Sequence, residues 1–268
     1  MPHSFLREVM YMEIIDFHLH PEYDFHLQTH GVTIDLDRFV RDLRACGITK
    51  CCGSVIDSAV QNLPISKYET LIPNLNDRAL AVKERLGDFY VPGIHIHPAF
   101  PEMSCREIAR CHRKGVRLIG ELVPYMMGWK NCATPAFLEI MECARDYDMV
   151  VNIHPTNAAD MYALSEAVPQ VKLVWAHFSG YGHLDHHMDM LRRYPNVYFD
   201  LSAHGTDVVG TLRKAIDEIG CDRFLFGTDY PGVGPAADIA AIRFERLTDE
   251  EMEMIFSKNA KRLLCLES

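Results

Sequence analysis

His18 and His20 are spaced by one residue in Ile14-Ile15-Asp16-Phe17-His18-Leu19-His20-Pro21, and that pair is where chemistry first suggests itself. The apolar run before them reads as a short strand buried on both sides. Pro21 cannot donate to a ladder and stops it. Side chains alternate along a strand, so the two imidazoles point the same way, about 7 Å apart along it. Such a pair can hold one metal ion, with ring nitrogens about 2.0–2.1 Å away if the metal is zinc. Alone, an HxH is weak evidence. The signal is its recurrence: His97, Glu121, His154, His177 and Asp229 each lie at or near the end of a later predicted strand, and His204 lies just beyond another. So many ionisable groups at one rim would repel, or stay unsatisfied, unless they bound metal, protons or substrate.

These groups need a scaffold that delivers strand ends to one place. Further strands are predicted over 48–56, 89–97, 116–123, 149–154, 171–177, 196–202 and 223–229. Helices are predicted between them over 34–46, 77–86, 102–114, 135–147, 158–167, 184–193 and 207–219, with two more starting at 236 and 248. Thr33 is read as the cap of the first helix and Gly47 as its stop. Thr248 and Glu251 fit a capping box. Residues 22–32 read as a polar loop carrying His26 and His30, and 57–70 as a long loop of the kind that often carries function. Strand and helix alternate eight times, which predicts an α/β fold, a (β/α)8 TIM barrel whose reactive groups sit at the carboxyl ends of its strands. One domain over 13–268 follows an extension at 1–12. A doubly wound open sheet is the runner-up, but no Gly-rich dinucleotide fingerprint follows the first strand.

With 268 residues, 48% hydrophobic and 24% charged, the chain suits one large globular domain. A formal charge of −10 argues against a nucleic-acid partner, which needs a basic patch. No apolar run approaches the ~20 residues of a membrane span, and the first residues lack the core of a secretory signal. Nine cysteines, two of them adjacent at Cys51-Cys52 and none in a CxxC, exclude a complete disulfide framework. Reduced thiols in a cytoplasmic protein are the simplest account. A small-molecule substrate is expected, and a homo-oligomer is left open.

His18-Leu19-His20, Asn152-Ile153-His154-Pro155, Trp175-Ala176-His177-Phe178-Ser179-Gly180 and Phe226-Gly227-Thr228-Asp229-Tyr230-Pro231, in that order, resemble the amidohydrolase superfamily. More narrowly they resemble the amidohydrolase-related branch that includes aminocarboxymuconate-semialdehyde decarboxylase. The closing Asn259-Ala260-Lys261-Arg262-Leu263-Leu264 is similar to that branch's C-terminal signature. The resemblance spans 13–265. It implies a divalent metal, with His18, His20 and His154 as ligands and Asp229 as ligand or proton acceptor. It implies for His177 either ligation of a second metal or polarisation of the substrate. Glu121 departs from the branch. A carboxylate there is familiar in TatD-like and phosphotriesterase-like relatives, where it bridges two metals; the plain alternative is a glutamate hydrogen-bonded in a polar mouth.

Three functions follow as expectations. The first is a zinc-dependent hydrolase, with one or two ions, cleaving an amide, lactone or cyclic imide, with Asp229 moving the proton and His177 stabilising the oxyanion. The alternative is a metal-dependent non-oxidative decarboxylase or hydratase of an aromatic or enol acid, although no arginine ends a strand. The third is a metal-binding barrel without catalysis. His/Asp ligation suits zinc, manganese, iron and nickel alike. His97, His204, Tyr125 and Trp129 are the expected substrate contacts. His95, although it makes a second HxH with His97, is not an expected ligand. His183, His186 and His187 read as a solvated helix entry, and Pro231 to Pro235 as a plain turn.

Overall fold

The structure, a computed structural model, describes residues 12–21, 26–29, 31–57, 61, 63–179 and 182–266. Apart from Met12, the expected N-terminal extension lies outside the described residues. So do residues 22–25 and 30 of the first expected loop and 58–60 and 62 of the second.

β1 (Ile14–Asp16) leads to a two-stranded antiparallel hairpin, β2 (His26–Thr29) and β3 (Val32–Asp35), and then to β4 (Ile48–Ser54). The remaining strands are β5 (Tyr90–Ile94), β6 (Leu118–Leu122), β7 (Val150–Ile153), β8 (Lys172–Trp175), β9 (Val197–Asp200) and β10 (Phe224–Leu225). Eight of them form one parallel sheet in the order β1-β4-β5-β6-β7-β8-β9-β10. Helices cover the sheet, so its strands are buried on both faces; every residue of β6 and β7 is buried. This is the curled parallel α/β architecture of TIM-barrel type.

The regular ladder runs open between β1 and β10, where a closed barrel was expected. What joins those edges is chain just past the two strands. Phe17 N–H donates to Phe226 O at 2.8 Å, His20 N–H donates to Tyr230 O at 3.0 Å, and Leu19 and Tyr230 form a parallel bridge. Buried Asp16 fastens the same seam, accepting from the Thr228 hydroxyl at 2.6 Å and from its N–H at 3.1 Å.

The core has two parts. Ile15, Phe17, Cys52, Leu118, Val150 and Leu225 fill the interior at the amino ends of the strands, capped by Ala260, Leu263 and Leu264 of the last helix. Asn259 of the C-terminal signature fixes that helix in place, its Nδ2 donating to Cys221 O and Phe224 O. The larger apolar layer lies between sheet and helices.

Several boundaries differ from expectation for local reasons. The segment 32–35 pairs with β2 rather than entering the helix, so Asp35 caps α1 (Leu36–Ala45) in place of Thr33, accepting from Arg38 N–H at 2.7 Å. The helix expected from 77 begins earlier, as α2 (Tyr68–Leu86). Its buried stripe of Tyr68, Ile72, Leu75, Ala79 and Val82 keeps helical spacing through Pro73. The helices α3 (Pro101–His112) and α4 (Pro135–Asp146), the latter capped by Thr134, are linked by a Cys105–Cys143 disulfide. That pairing corrects the expectation that all cysteines are reduced thiols. The Thr248–Glu251 capping box forms. No helix among the described residues is long and apolar enough to cross a membrane.

Candidate metal centre

Alternation past the end of β1 turns His18 and His20 to the same side, as their spacing requires. Each has its Nδ1–H committed behind it. His18 donates to Asp200 Oδ2 at 2.9 Å, and His20 donates to Ser54 O at 3.0 Å. In the neutral imidazoles both Nε2 atoms then carry lone pairs, and these face each other at 3.3 Å. Glu121, buried on β6, enters the same space. Gly120 before it has φ +94°, and a Cβ there would lie 2.0 Å from Asn152 O, so glycine is required for the close approach of β6 and β7.

The Glu121 carboxylate divides its oxygens between two groups of nitrogens. Oε2 lies 3.4 Å from His18 Nε2 and 3.5 Å from His20 Nε2. Oε1 lies 3.0 Å from His154 Nδ1 and 3.3 Å from His177 Nε2. Asp229 Oδ1 adds a contact at 3.2 Å to His20 Nε2. His177 and Asp229 both have positive φ, 59° and 60°, an uncommon conformation for these residues that concentrates at functional sites.

Electrostatics point to missing positive charge. Burial acts to lower the His18 pKa, but the neighbouring Asp200 and Glu121 carboxylates raise it well above the usual imidazole range. His20 is pushed up to about 9, burial being outweighed by hydrogen bonds to Asp229 and Glu121. Burial raises and the surrounding imidazoles lower the Glu121 pKa, which ends well below the carboxylate range; Asp229 is lowered by His20 and His18 in the same way. Opposed lone pairs and ionised carboxylates in a buried cluster fit a divalent cation. Among the described residues, three triads have ligand atoms within 4.8 Å of one another: His18/His20/Glu121, Glu121/His154/His177 and His18/His177/Asp200.

A cavity of about 600 Å³ opens over this cluster, reached by His154, His177 and Asp229 from below. His183, His186, His187 and His204 form part of its wall. The helix α5 (Leu184–Arg193) carries His186 and His187 and is preceded by His183, so the expected solvated helix entry is instead a pocket wall; His187 is buried. His204 is exposed, with its Nδ1 paired to Asp207 Oδ2 at 2.7 Å.

A family model of the amidohydrolases matches residues 15–266. The chain belongs to the amidohydrolase family. No curated protein sequence matches it. Among solved structures, 2,6-dihydroxybenzoate decarboxylase from Rhizobium matches with TM-score 0.74 at 16% identity, covering 96% of this chain and 100% of that one. The 5-carboxyvanillate decarboxylase of Novosphingobium aromaticivorans, complexed with manganese and a nitrobenzoic acid, matches with TM-score 0.76 at 16% identity, covering 96% and 97%. A dihydroxybenzoic acid decarboxylase of Polaromonas, with manganese and 2-nitroresorcinol bound, gives 0.75 at 17% identity, covering 95% and 97%.

In this amidohydrolase the six expected donor residues, His18, His20, Glu121, His154, His177 and Asp229, converge. Two expected substrate contacts do not reach the cavity. His97 is buried and stacks on Tyr68 at 4.8 Å, its Nε2–H donating to Met127 O at 2.9 Å and its Nδ1 accepting from Ala99 N–H at 3.1 Å. Its strand-end face looks out on α2, away from the centre. Trp129 is buried against Phe137 at 5.2 Å, in the apolar layer. Tyr125, 65% exposed, reaches the rim, its ring 5.2 Å from that of His154. His95 does not line the cavity, its Nε2–H donating to Val55 O at 2.8 Å.

Sequence reasoning missed Asp200, Ser202 and Asn152. Asn152 Nδ2 donates to Asp200 Oδ2 at 3.0 Å, and Ser202 Oγ lies 2.9 Å from His177 Nδ1. The signal was available: Asp200-Leu201-Ser202 leaves β9 with the same one-residue spacing as His18 and His20 leave β1.

Proposed function

We propose that this amidohydrolase is a metal-dependent decarboxylase of a small planar organic acid, built on a full (β/α)8 frame with its seam at β1 and β10. The observation that carries the metal centre is the division of the Glu121 oxygens between two imidazole pairs. His18, His20, Asp229 and one Glu121 oxygen would hold one ion. His154, His177 and the other oxygen would hold a second. When bound, divalent cations supply Lewis acidity and draw charge from a substrate oxygen. Manganese suits such imidazole and carboxylate donors as well as the zinc expected from sequence.

Charge supports an acid substrate only with two ions. Three carboxylates, Glu121, Asp229 and Asp200, contact the imidazoles, and no lysine or arginine among the described residues lines the cavity. One divalent ion leaves the site negative, which suits a neutral substrate; two leave it positive, which draws in a carboxylate. Losing carbon dioxide replaces a carbon–carbon bond with a carbon–hydrogen bond, so a proton must reach the carbon as the carboxyl group departs. Asp229 is partly exposed to the cavity and can hold that proton at Oδ2, the oxygen not facing His18 or His20. His186 and His204 stand where they can contact the far edge of a planar ring. The likeness to aromatic-acid decarboxylases favours this reaction.

Hydrolysis of an amide, lactone or cyclic imide is the second reading. The shared Glu121 carboxylate favours it, since paired ions suit attack by water. The test is metal content by elemental analysis of the wild type and Glu121→Ala, with parallel assays of carbon dioxide release from hydroxybenzoates and of lactone hydrolysis. Two ions falling to one or none, with carbon dioxide release, is the expected result. Lactone cleavage without carbon dioxide release would move the assignment to hydrolysis, and a wild type active without any divalent ion would end the metal reading.

A further inference from the structure

Asp200 is wholly buried and accepts from five donors on four residues, one from each of four strand ends. Oδ2 accepts from His18 Nδ1–H at 2.9 Å and from Asn152 Nδ2–H at 3.0 Å. Oδ1 accepts from His177 N–H and Ser202 N–H, each at 3.1 Å, and from the Ser202 hydroxyl. A carboxylate so fully engaged has little left to offer a ligand of its own, although it closes a triad with His18 and His177. Its effect is on the imidazoles. By accepting the His18 Nδ1 proton it leaves the Nε2 lone pair aimed at His20 and Glu121 Oε2.

The second effect passes through Ser202. With its hydroxyl proton directed to Asp200, Ser202 Oγ can only accept from His177 Nδ1–H, 2.9 Å away. That leaves the His177 Nε2 lone pair aimed at His154 Nδ1 and Glu121 Oε1. One buried carboxylate thus sets one imidazole in each donor group, the first directly and the second through a hydroxyl.

The geometry points to Asp200 and Ser202 as positioning residues that preset His18 and His177, one histidine on each side of Glu121, for binding two cations. This inference rests on the metal-centre reading above and assigns the division of labour within it. Partners of metal-bound histidines typically affect metal affinity by about 10–100-fold. The roles are separable, because Ser202 Oγ is the nearest partner of His177 Nδ1 at 2.9 Å, whereas His18 Nδ1, 3.1 Å from the same oxygen, keeps its nearer bond to Asp200 Oδ2 at 2.9 Å; Asp200 serves both arms.

The experiment is calorimetric titration of manganese chloride into the metal-stripped full chain, with thermal unfolding as a control for folding. Asp200→Asn should weaken every manganese site that the wild type shows, by about 10–100-fold. Ser202→Ala, the milder change, should weaken one site by a similar factor and leave the other within about twofold, a split that general loosening of the fold would not produce. Ser202→Ala titrating like the wild type, or weakening both sites equally, overturns the inference; so does unchanged affinity in Asp200→Asn. Those results leave the metal centre standing, whereas a wild type that takes up no manganese removes both.

Discussion

Asp238, in the first turn of α6 (Pro235–Phe244), offers a test of the electrostatics behind the centre. It is 8% exposed, and its Oδ2 has no hydrogen-bond partner among the described residues. Burial first, and then the charges of Asp16, Asp207 and Asp229, push its pKa up from 3.8 to about 7. A raised carboxyl pKa means that the fold binds this proton more tightly than the unfolded chain does. Stability therefore falls as pH climbs from 3.8 towards 7 and levels off above it. At 1.36 kcal/mol per pH unit the full penalty above pH 7 is about 4 kcal/mol, and incomplete burial reduces it to about 2–4 kcal/mol. Asp238→Asn keeps the shape and removes the charge. Its advantage over the wild type should grow by about 1–2 kcal/mol between about pH 5.5 and 8.5. Urea unfolding at constant ionic strength, extrapolated to water at each pH, measures it. A difference independent of pH would mean that only packing changed, and one that shrinks as pH rises would refute the reasoning outright.

Two further outcomes separate scaffold from site. His97→Phe removes the bonds to Met127 O and Ala99 N–H and should cost about 2–3 kcal/mol of stability. Because His97 does not line the cavity, kcat and KM should stay at wild-type values, and a large rise in KM would return it to the substrate. Glu251 is held by Arg213, whose hydrogen bonds lower its pKa to about 2. A depressed carboxyl pKa contributes stability above 4.5 and loses it as pH falls towards 2, so Glu251→Gln should be about 1 kcal/mol less stable at neutral pH and should converge on the wild type in acid. Denaturation midpoints at about pH 7 and pH 3 check it.

The proline-stopped strand ends were readable because they combine two independent signals, an apolar run and a residue that cannot extend it. His18, His20, His154 and Asp229 were found that way. The helices at 158–167 and 184–193 have the bounds expected of them. His95 and His97 show where pattern ends: alternation says that they share a face, but not that the His95 ring is taken up by Val55 O and the His97 ring by Tyr68 of α2. Trp129 is similar, since a loop aromatic can cover a mouth or fill the layer beneath it. The wall histidines were misplaced because nothing in residues 183–187 says which way a helix start leans over the sheet. Asp200 was passed over although its spacing to Ser202 matches the HxH, because an aspartate inside a predicted strand has no ligand signature by itself.

The two halves of the interior follow different physics. At the amino ends of the strands, Ile15, Leu118, Val150 and Leu225 pack under the last helix, and burial of apolar surface there carries the fold. At the carboxyl ends, ionised carboxylates lie among imidazoles, and His177, Ala203 and Asp229 take left-handed backbone conformations. Each such residue costs about 1 kcal/mol or more, and persists only when its surroundings over-determine it. Here Asp200 supplies part of that constraint, since it holds the backbone N–H of His177 as well as the side chain of His18. The same carboxylate that orients a donor also secures the strained turn presenting the next one. The chemical end can therefore be rearranged by exchange of loops and rim residues only while Asp200 stays in place. Nothing in the apolar half depends on which reaction the rim performs, and that division lets the scaffold carry the Glu121 carboxylate at its rim without disturbing the packing below.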